Sequence, residues 1–255
     1  MRWKSAADER ERAIYAAICR HDGVKARDIA QTLGLPRKVV NQYLYRSPFI
    51  SDLCYRDRDY LWYGMIRQDV PHAGLDQFSG WYGTVAEFMD QDEHGWLSEL
   101  EAGCQRIGRN LNDTRGLVHS FLDTRQAMRE NFQALREFGL ACGSWEICFE
   151  LRIRRARRIR IYTDVLVISP EHAFSLEFKM KDQIDHEEVK QAAKYAPYLE
   201  VVLGDSYDVD PALVLTRAHD LYTHVPLEGS TADIPVVSGD MLFNVFDEYL
   251  HFLAP

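Results

Sequence analysis

The stretch that decides the fold runs from Thr163 to Tyr195: TDVLVIS (163–169), FSLEFKM (174–180) and EEVKQAAKY (187–195). The first two runs are short, apolar and rich in β-branched and aromatic residues, which predicts strands. The third predicts a helix. Glu177 and Lys179 stand two residues apart, so on a strand they project from one face. Their neighbours are Phe174, Leu176, Phe178 and Met180. Neither charge stabilises such a strand, because taking an ionised group out of water is costly unless it is paired or binds a metal. Asp164 opens the preceding run. Two carboxylates and an ammonium at the end of paired strands make a site for a hard divalent cation and a phosphodiester.

This D-x12-E-x-K arrangement resembles the PD-(D/E)XK nuclease superfamily over roughly residues 120–220. The resemblance implies Mg²⁺ (or Mn²⁺) held by Asp164 and Glu177, with the backbone carbonyl of Phe178 as a further ligand. It gives Lys179 the task of orienting the attacking water or offsetting charge on the phosphate. Thr163 stands where the family's name has proline. A Q-x-x-x-Y pattern, Gln191 to Tyr195, is similar to the helix motif that follows the catalytic strand in RecB-type members. Gln191 would then hydrogen-bond the site or a phosphate. Tyr195 shares its helical face and serves packing, catalysis or contact with nucleic acid. The resemblance also implies a glutamate ahead of the three strands. Glu146 and Glu150 both qualify, and within one strand they share a face. Glu146 is preferred as the metal ligand, with Glu150 left to pair with an arginine.

A chain of 255 residues holds one large domain or two small ones with a real core. No apolar run approaches the roughly 20 residues that span a bilayer, and MRWKSAADERER (1–12) lacks the apolar core of a signal peptide. The expectation is a cytoplasmic protein with no membrane partner. Five cysteines, odd in number and without a C-x-x-C pair, read as reduced buried thiols rather than a zinc site or a disulfide framework. No phosphate loop of the GxxxxGK[ST] kind occurs, which argues against nucleotide hydrolysis. The net charge of −9 is awkward for a nucleic-acid enzyme, but phosphate contacts need only local positive charge. LRIRRARRIR (151–160) supplies it, with six arginines from Arg152 to Arg160. Arg154, Arg155, Arg157 and Arg158 are the candidate backbone clamp; the alternative is a solvated face.

Near the N-terminus, residues 8–21, 25–33 and 36–46 read as three helices, the second closed by Gly34 and the third begun by Pro36. SPFISDLCYRDRDYLWYG (47–64) reads as two short β-rich runs. VKARDIAQTLGLPRKVVNQYLYR (24–46) resembles the winged helix-turn-helix family. That resemblance implies a third helix lying in the major groove, with Arg37, Lys38, Asn41, Gln42 and Arg46 as contacts. Winged helices also dock proteins, and that alternative stays open.

The predicted organisation is therefore α+β and α/β: a winged helix-turn-helix over 1–64, a linker and helical connector over 65–119, and a nuclease-like mixed sheet flanked by helices over 120–255. In the connector, Asp90, Asp92, Glu93 and His94 read as an acidic helix end rather than a metal set. A fourth strand is expected to begin within Leu199–Leu203, after Pro197. The function implied is Mg²⁺-dependent hydrolysis of DNA, with RNA also compatible, in prokaryotic defence or repair; a homodimer or a protein partner is compatible as well. The alternative from a different class is a non-catalytic nucleic-acid-binding regulator or adaptor that keeps a nuclease-like fold.

Overall fold

The computed structural model describes residues 9–21, 23–64, 74–109, 111, 114–155, 160–170, 172–204, 207–227 and 232–250. The chain begins with three helices, α1 (Glu9–Cys19), α2 (Ala26–Leu33) and α3 (Arg37–Arg46). Gly34 ends α2 at φ 63°, and its amide meets the carbonyls of Ala30 and Gln31. A residue without Cβ takes that left-handed cap at little cost. Residues 48–53, expected as part of a β-rich run, instead form α4 (Pro48–Leu53). The Ser47 hydroxyl accepts from the Ile50 amide at 3.1 Å, and Pro48 occupies the first turn. This N-cap overrides the strand preference of Phe49 and Ile50. A short hairpin follows, β1 (Cys54–Arg56) against β2 (Trp62–Gly64), and Val24 exchanges two backbone hydrogen bonds with Trp62.

Next come α5 (Leu75–Phe78), β3 (Trp81–Thr84), α6 (Val85–Asp90), α7 (Glu93–Ile107) and α8 (Thr114–Glu137). β3 lies within the stretch expected to be a connector, yet it is an edge strand of the main sheet. Four residues with a glycine among them are too few for a period-2 signal. Asp92 is the N-cap of α7 and accepts from the Gly95 amide at 2.9 Å, which accounts for the acidic cluster there. The remaining elements are β4 (Glu146–Arg155), β5 (Arg160–Ile168), β6 (His172–Lys179), α9 (His186–Leu203), β7 (Asp208–Leu215), β8 (Tyr222–Pro226), β9 (Asp233–Ser238) and α10 (Phe243–Leu250). The strand expected from Leu199 does not form, because α9 continues through Pro197. Tyr198, Leu199, Val202 and Leu203 are all buried beyond it, and that burial offsets the missing backbone donor.

The fold is mixed α+β. The seven strands run β3-β4-β5-β6-β7-β9-β8, antiparallel as far as β6, parallel from β6 through β7 to β9, and antiparallel again at β8. Successive strand residues feed opposite layers. Phe149, Val165, Val167, Phe174, Leu176 and Val214 pack with residues of α6, α7, α8 and α10. Cys148, Leu166, Ile168, Ala173 and Val209 pack with α9 and with the N-terminal helices. Phe49 stacks on Tyr198 at 5.3 Å, and Arg12 pairs with Glu200, so α1 and α4 pack beside α9, where α4 also meets β4. All five cysteines are buried and free.

α7 approaches the loop before β3 unusually closely. A Cβ on Gly103 would lie 1.8 Å from the Gly80 carbonyl oxygen, whereas one on Gly143 would meet only Ala86 at 3.8 Å. Gly103→Ala is therefore expected to cost about 2–3 kcal/mol in urea unfolding, with Gly143→Ala near neutral as the control. Equal midpoints for the two variants would show that the approach adjusts freely.

Candidate active site

Three adjacent strands deliver one carboxylate each to a single row. Phe149 faces Val165 and Leu151 faces Thr163, so Glu150 lies across from Asp164. Val165 faces Leu176, so Asp164 comes level with Glu177, where the regular ladder between β5 and β6 stops. Beyond that point the Phe178 amide donates to Asp164 Oδ2 at 2.8 Å. The side chain thus takes the ladder's place and satisfies a donor that burial would otherwise strand. The Lys179 carbonyl accepts from the Thr216 amide, on the β7 side. Backbone groups alternate between the two edges of a strand, so the Phe178 carbonyl points toward Asp164.

Glu177 is buried. Its Oε1 accepts from Lys179 Nζ at 2.7 Å and from Gln191 Nε2 at 2.7 Å. Gln191 Nε2 also donates to the Tyr195 hydroxyl oxygen at 2.9 Å. α9 thereby brings both residues of the Q-x-x-x-Y pattern to the row. Glu177 Oε2 is buried without a hydrogen-bond partner. Glu150 adopts φ 52°, a left-handed conformation that costs a residue with a side chain on the order of 1–2 kcal/mol. The alternation of β4 resets there: Cys148 before it and Leu151 and Ile153 after it all join the α9-side core. Such backbone strain gathers at functional sites.

A residue that the motifs did not single out completes the cluster. Arg109 Nε lies 2.7 Å from Glu150 Oε2, and its guanidinium sits 4.6 Å from the centre of the Tyr162 ring. Its backbone is set by the cap of α7: Gly108 turns at φ 73°, and the Arg109 amide bonds the Cys104 carbonyl. A glycine followed by arginine after an amphipathic run marks a helix end in the sequence, but nothing there says where the arginine reaches.

Burial and crowding set the charge states. Burial, reinforced by the Asp164 charge, pushes Glu150 up to about 8, with Arg109 pulling the other way. Burial and Asp164 likewise push Glu177 up to about 8, against Lys179. Asp164 is raised by burial, opposed by Lys179 and by the Phe178 amide. Burial works against the Lys179 ammonium, but Glu177 outweighs it and holds the group charged. The donors are oxygens, Glu150 Oε2 and Glu177 Oε2 are buried without a hydrogen-bond donor, and the Phe178 carbonyl faces inward, so these residues fit a hard cation. Among the described residues, no set of three His, Cys, Asp or Glu side chains is gathered closely enough to hold a metal as it stands.

The other candidates lie elsewhere. Glu146 pairs with Ile168 and accepts from the Tyr82 hydroxyl at 2.7 Å, so Glu150, not Glu146, is the β4 carboxylate in the row. Glu150 does pair with an arginine, but that arginine is Arg109. Arg152 donates to the Ile107 carbonyl at 2.7 Å and covers Phe78, a packing role. Arg154 and Arg155 end β4, with Arg155 opposite Arg160. Arg157 and Arg158 lie outside the described residues. Arg37, Lys38 and Gln42 are exposed on α3, and Asn41 is half-buried there. A cavity of about 360 Å³ opens along the first turns of α9, lined by His186, Val189, Lys190, Pro226 and Leu227. It is not the carboxylate row. Among the described residues no helix is long and apolar enough to cross a membrane.

No protein-family profile matches the chain, and no curated protein matches it.

Raised carboxyl pKa values favour the protonated, folded form, so their contribution is present at low pH and lost as pH rises through about 8. Metal-free protein, kept in EDTA, should accordingly lose urea stability between pH 5 and about pH 9. Glu177→Gln should flatten part of that slope. A wild-type midpoint that rises over the same range would contradict the assigned charge states.

Proposed function

We propose that the protein is a divalent-metal-dependent nuclease of the PD-(D/E)XK type that hydrolyses DNA phosphodiester bonds. The observation that carries this reading is the meeting of Asp164, Glu177, Lys179 and Gln191 where the β5–β6 ladder stops. The succession α8, β4, β5, β6, α9, β7 supports it, being the element order that family uses. Asp164 and Glu177 would hold Mg²⁺ or Mn²⁺ with the Phe178 carbonyl. When bound, the cation supplies Lewis acidity toward a nonbridging phosphate oxygen and a more acidic water. Lys179, held charged beside Glu177, orients the attacking water and offsets charge on the phosphate. Gln191 fixes the rotamer of Glu177, and Tyr195 fixes Gln191, so the reacting groups stay in register without reorganisation.

Under the same proposal, α1 to α3 with the β1–β2 hairpin act as a winged helix-turn-helix that guides the nuclease. The order of these elements and the exposure of Arg37, Lys38 and Gln42 support this. α1 and α4 also cover α9, so point substitutions test this role better than truncation.

A second reading is a non-catalytic nucleic-acid-binding regulator. One observation favours it: Lys179 and Arg109 already balance charge in the row from within the chain. Nicking of plasmid DNA separates the two. With Mg²⁺ or Mn²⁺ present, cleavage is expected, and EDTA should stop it. Asp164→Asn, Glu177→Gln and Lys179→Met should each lower the rate about a hundredfold or more, as when one transition-state contact is removed. Full activity in any folded variant removes that residue from the site, and no cleavage with either metal favours the regulator.

The guiding role has its own measurement. Arg37→Ala with Lys38→Ala should weaken binding to long duplex DNA and reduce the slope of log affinity against log salt by about 1 per lost phosphate contact. Cleavage of a short saturating duplex should be spared. An unchanged slope would make this face a protein-docking surface.

A further inference from the structure

Arg109 lies outside every motif in the sequence, yet it is the basic group that meets Glu150. The pair is unequal in access: the arginine side chain is 30% exposed and the glutamate 5%. Their atoms stand 2.7 Å apart, but neither Arg109 Nε nor Glu150 Oε2 makes an aligned hydrogen bond. The contact is therefore one of charge rather than a fitted fork. Two anchors hold the arginine over the row. The Gly108 cap fixes its backbone, and Arg152 ties the end of α7 to β4 through the Ile107 carbonyl. The Tyr162 ring gives the guanidinium a face to rest on. Glu150, its side chain almost wholly enclosed, has little room to turn away. Arg109, being the more exposed, is the partner that can leave.

Building on the nuclease reading, we infer that Arg109 is a resident counter-cation of the carboxylate row, one that positions Glu150 in the metal-free protein and competes with a divalent cation for it. Burial holds the carboxyls of the row toward their protonated form, and the positive charge beside them draws them back toward ionisation. Lys179 serves the Glu177 end, and Arg109 serves the Glu150 end. Were Glu150 drawn to a divalent cation, Arg109 would be free to turn toward the solvent to which it is already partly exposed. Arg109 is thus a positioning residue whose two states are set by metal.

The test uses the full chain and Mn²⁺ alone, followed by titration calorimetry at fixed pH, with melting in EDTA as a second readout. Arg109→Met keeps the apolar stem on Tyr162 and removes the charge. It is expected to bind Mn²⁺ about tenfold more tightly than wild type, a coupling of ordinary size between competing ligands. It should also melt lower in EDTA and recover when Mn²⁺ is added. Arg109→Lys, which keeps charge but lacks the planar stack, should fall between the two, and it decides the matter if the methionine variant does not fold. A folded variant that binds Mn²⁺ no more tightly than wild type, while Asp164→Asn abolishes binding, overturns the role of Arg109 and leaves the metal reading standing. No Mn²⁺ binding by wild type or either Arg109 variant overturns both. Binding that survives Asp164→Asn puts the metal elsewhere and overturns both as well.

Discussion

The constraint on which this structure turns is the keeping of three carboxylates inside a protein. Glu150, Asp164 and Glu177 come from neighbouring strands, and water would solvate each far better than a sheet does. Everything around them answers that cost. Lys179 and Gln191 converge on one oxygen of Glu177, the Phe178 amide turns to Asp164, and Arg109 reaches in from the end of α7. The row is held under electrostatic tension, with two of its members raised to about 8.

The row exists because β5 and β6 part company. Their antiparallel ladder runs from Ile168–Ala173 to Val165–Leu176 and goes no further. β6 meanwhile stays paired with β7 along its whole length, His172 to Lys179. One edge of β6 is therefore sealed and the other opens, and the opening falls at Glu177 and Phe178. A gap between strands offers backbone and side-chain oxygens together, without bending either strand out of the sheet.

Much of this was legible in the sequence, because the site departs from what a buried strand should contain. Glu177 and Lys179 announce themselves among phenylalanines, and Gln191 with Tyr195 sits at helical spacing just downstream. What was hidden depends on backbone geometry or on distant pairing. The choice between Glu146 and Glu150 rests on a left-handed residue within β4 and on which carboxylate faces Asp164, and neither follows from alternation. Arg109 comes from 41 positions before Glu150, through a helix cap, and no local pattern records such a contact. β3 is too short to show a period. α4 went unseen because a serine cap outweighed the preference of two strand-forming residues. α9 runs past a proline because the apolar residues beyond it have a core to enter.

The stacking of Phe49 on Tyr198 has a mechanical consequence. Gln191 and Tyr198 stand seven residues apart, close to one face of α9, so the helix that presents Gln191 to Glu177 also carries the ring that meets Phe49 about two turns further on. No loop intervenes between them to absorb displacement. A displacement of the N-terminal helices would reach Gln191 through one continuous helix, with Pro197, which lacks a backbone donor, as the point of give between them. Packed helices slide in small steps, and Gln191 has only a few tenths of an ångström of play before its bond to Glu177 is lost. The packing of the N-terminal helices and the alignment of the carboxylate row therefore share one helix, and a change that loosens Phe49 from Tyr198 reaches Gln191 without crossing a loop.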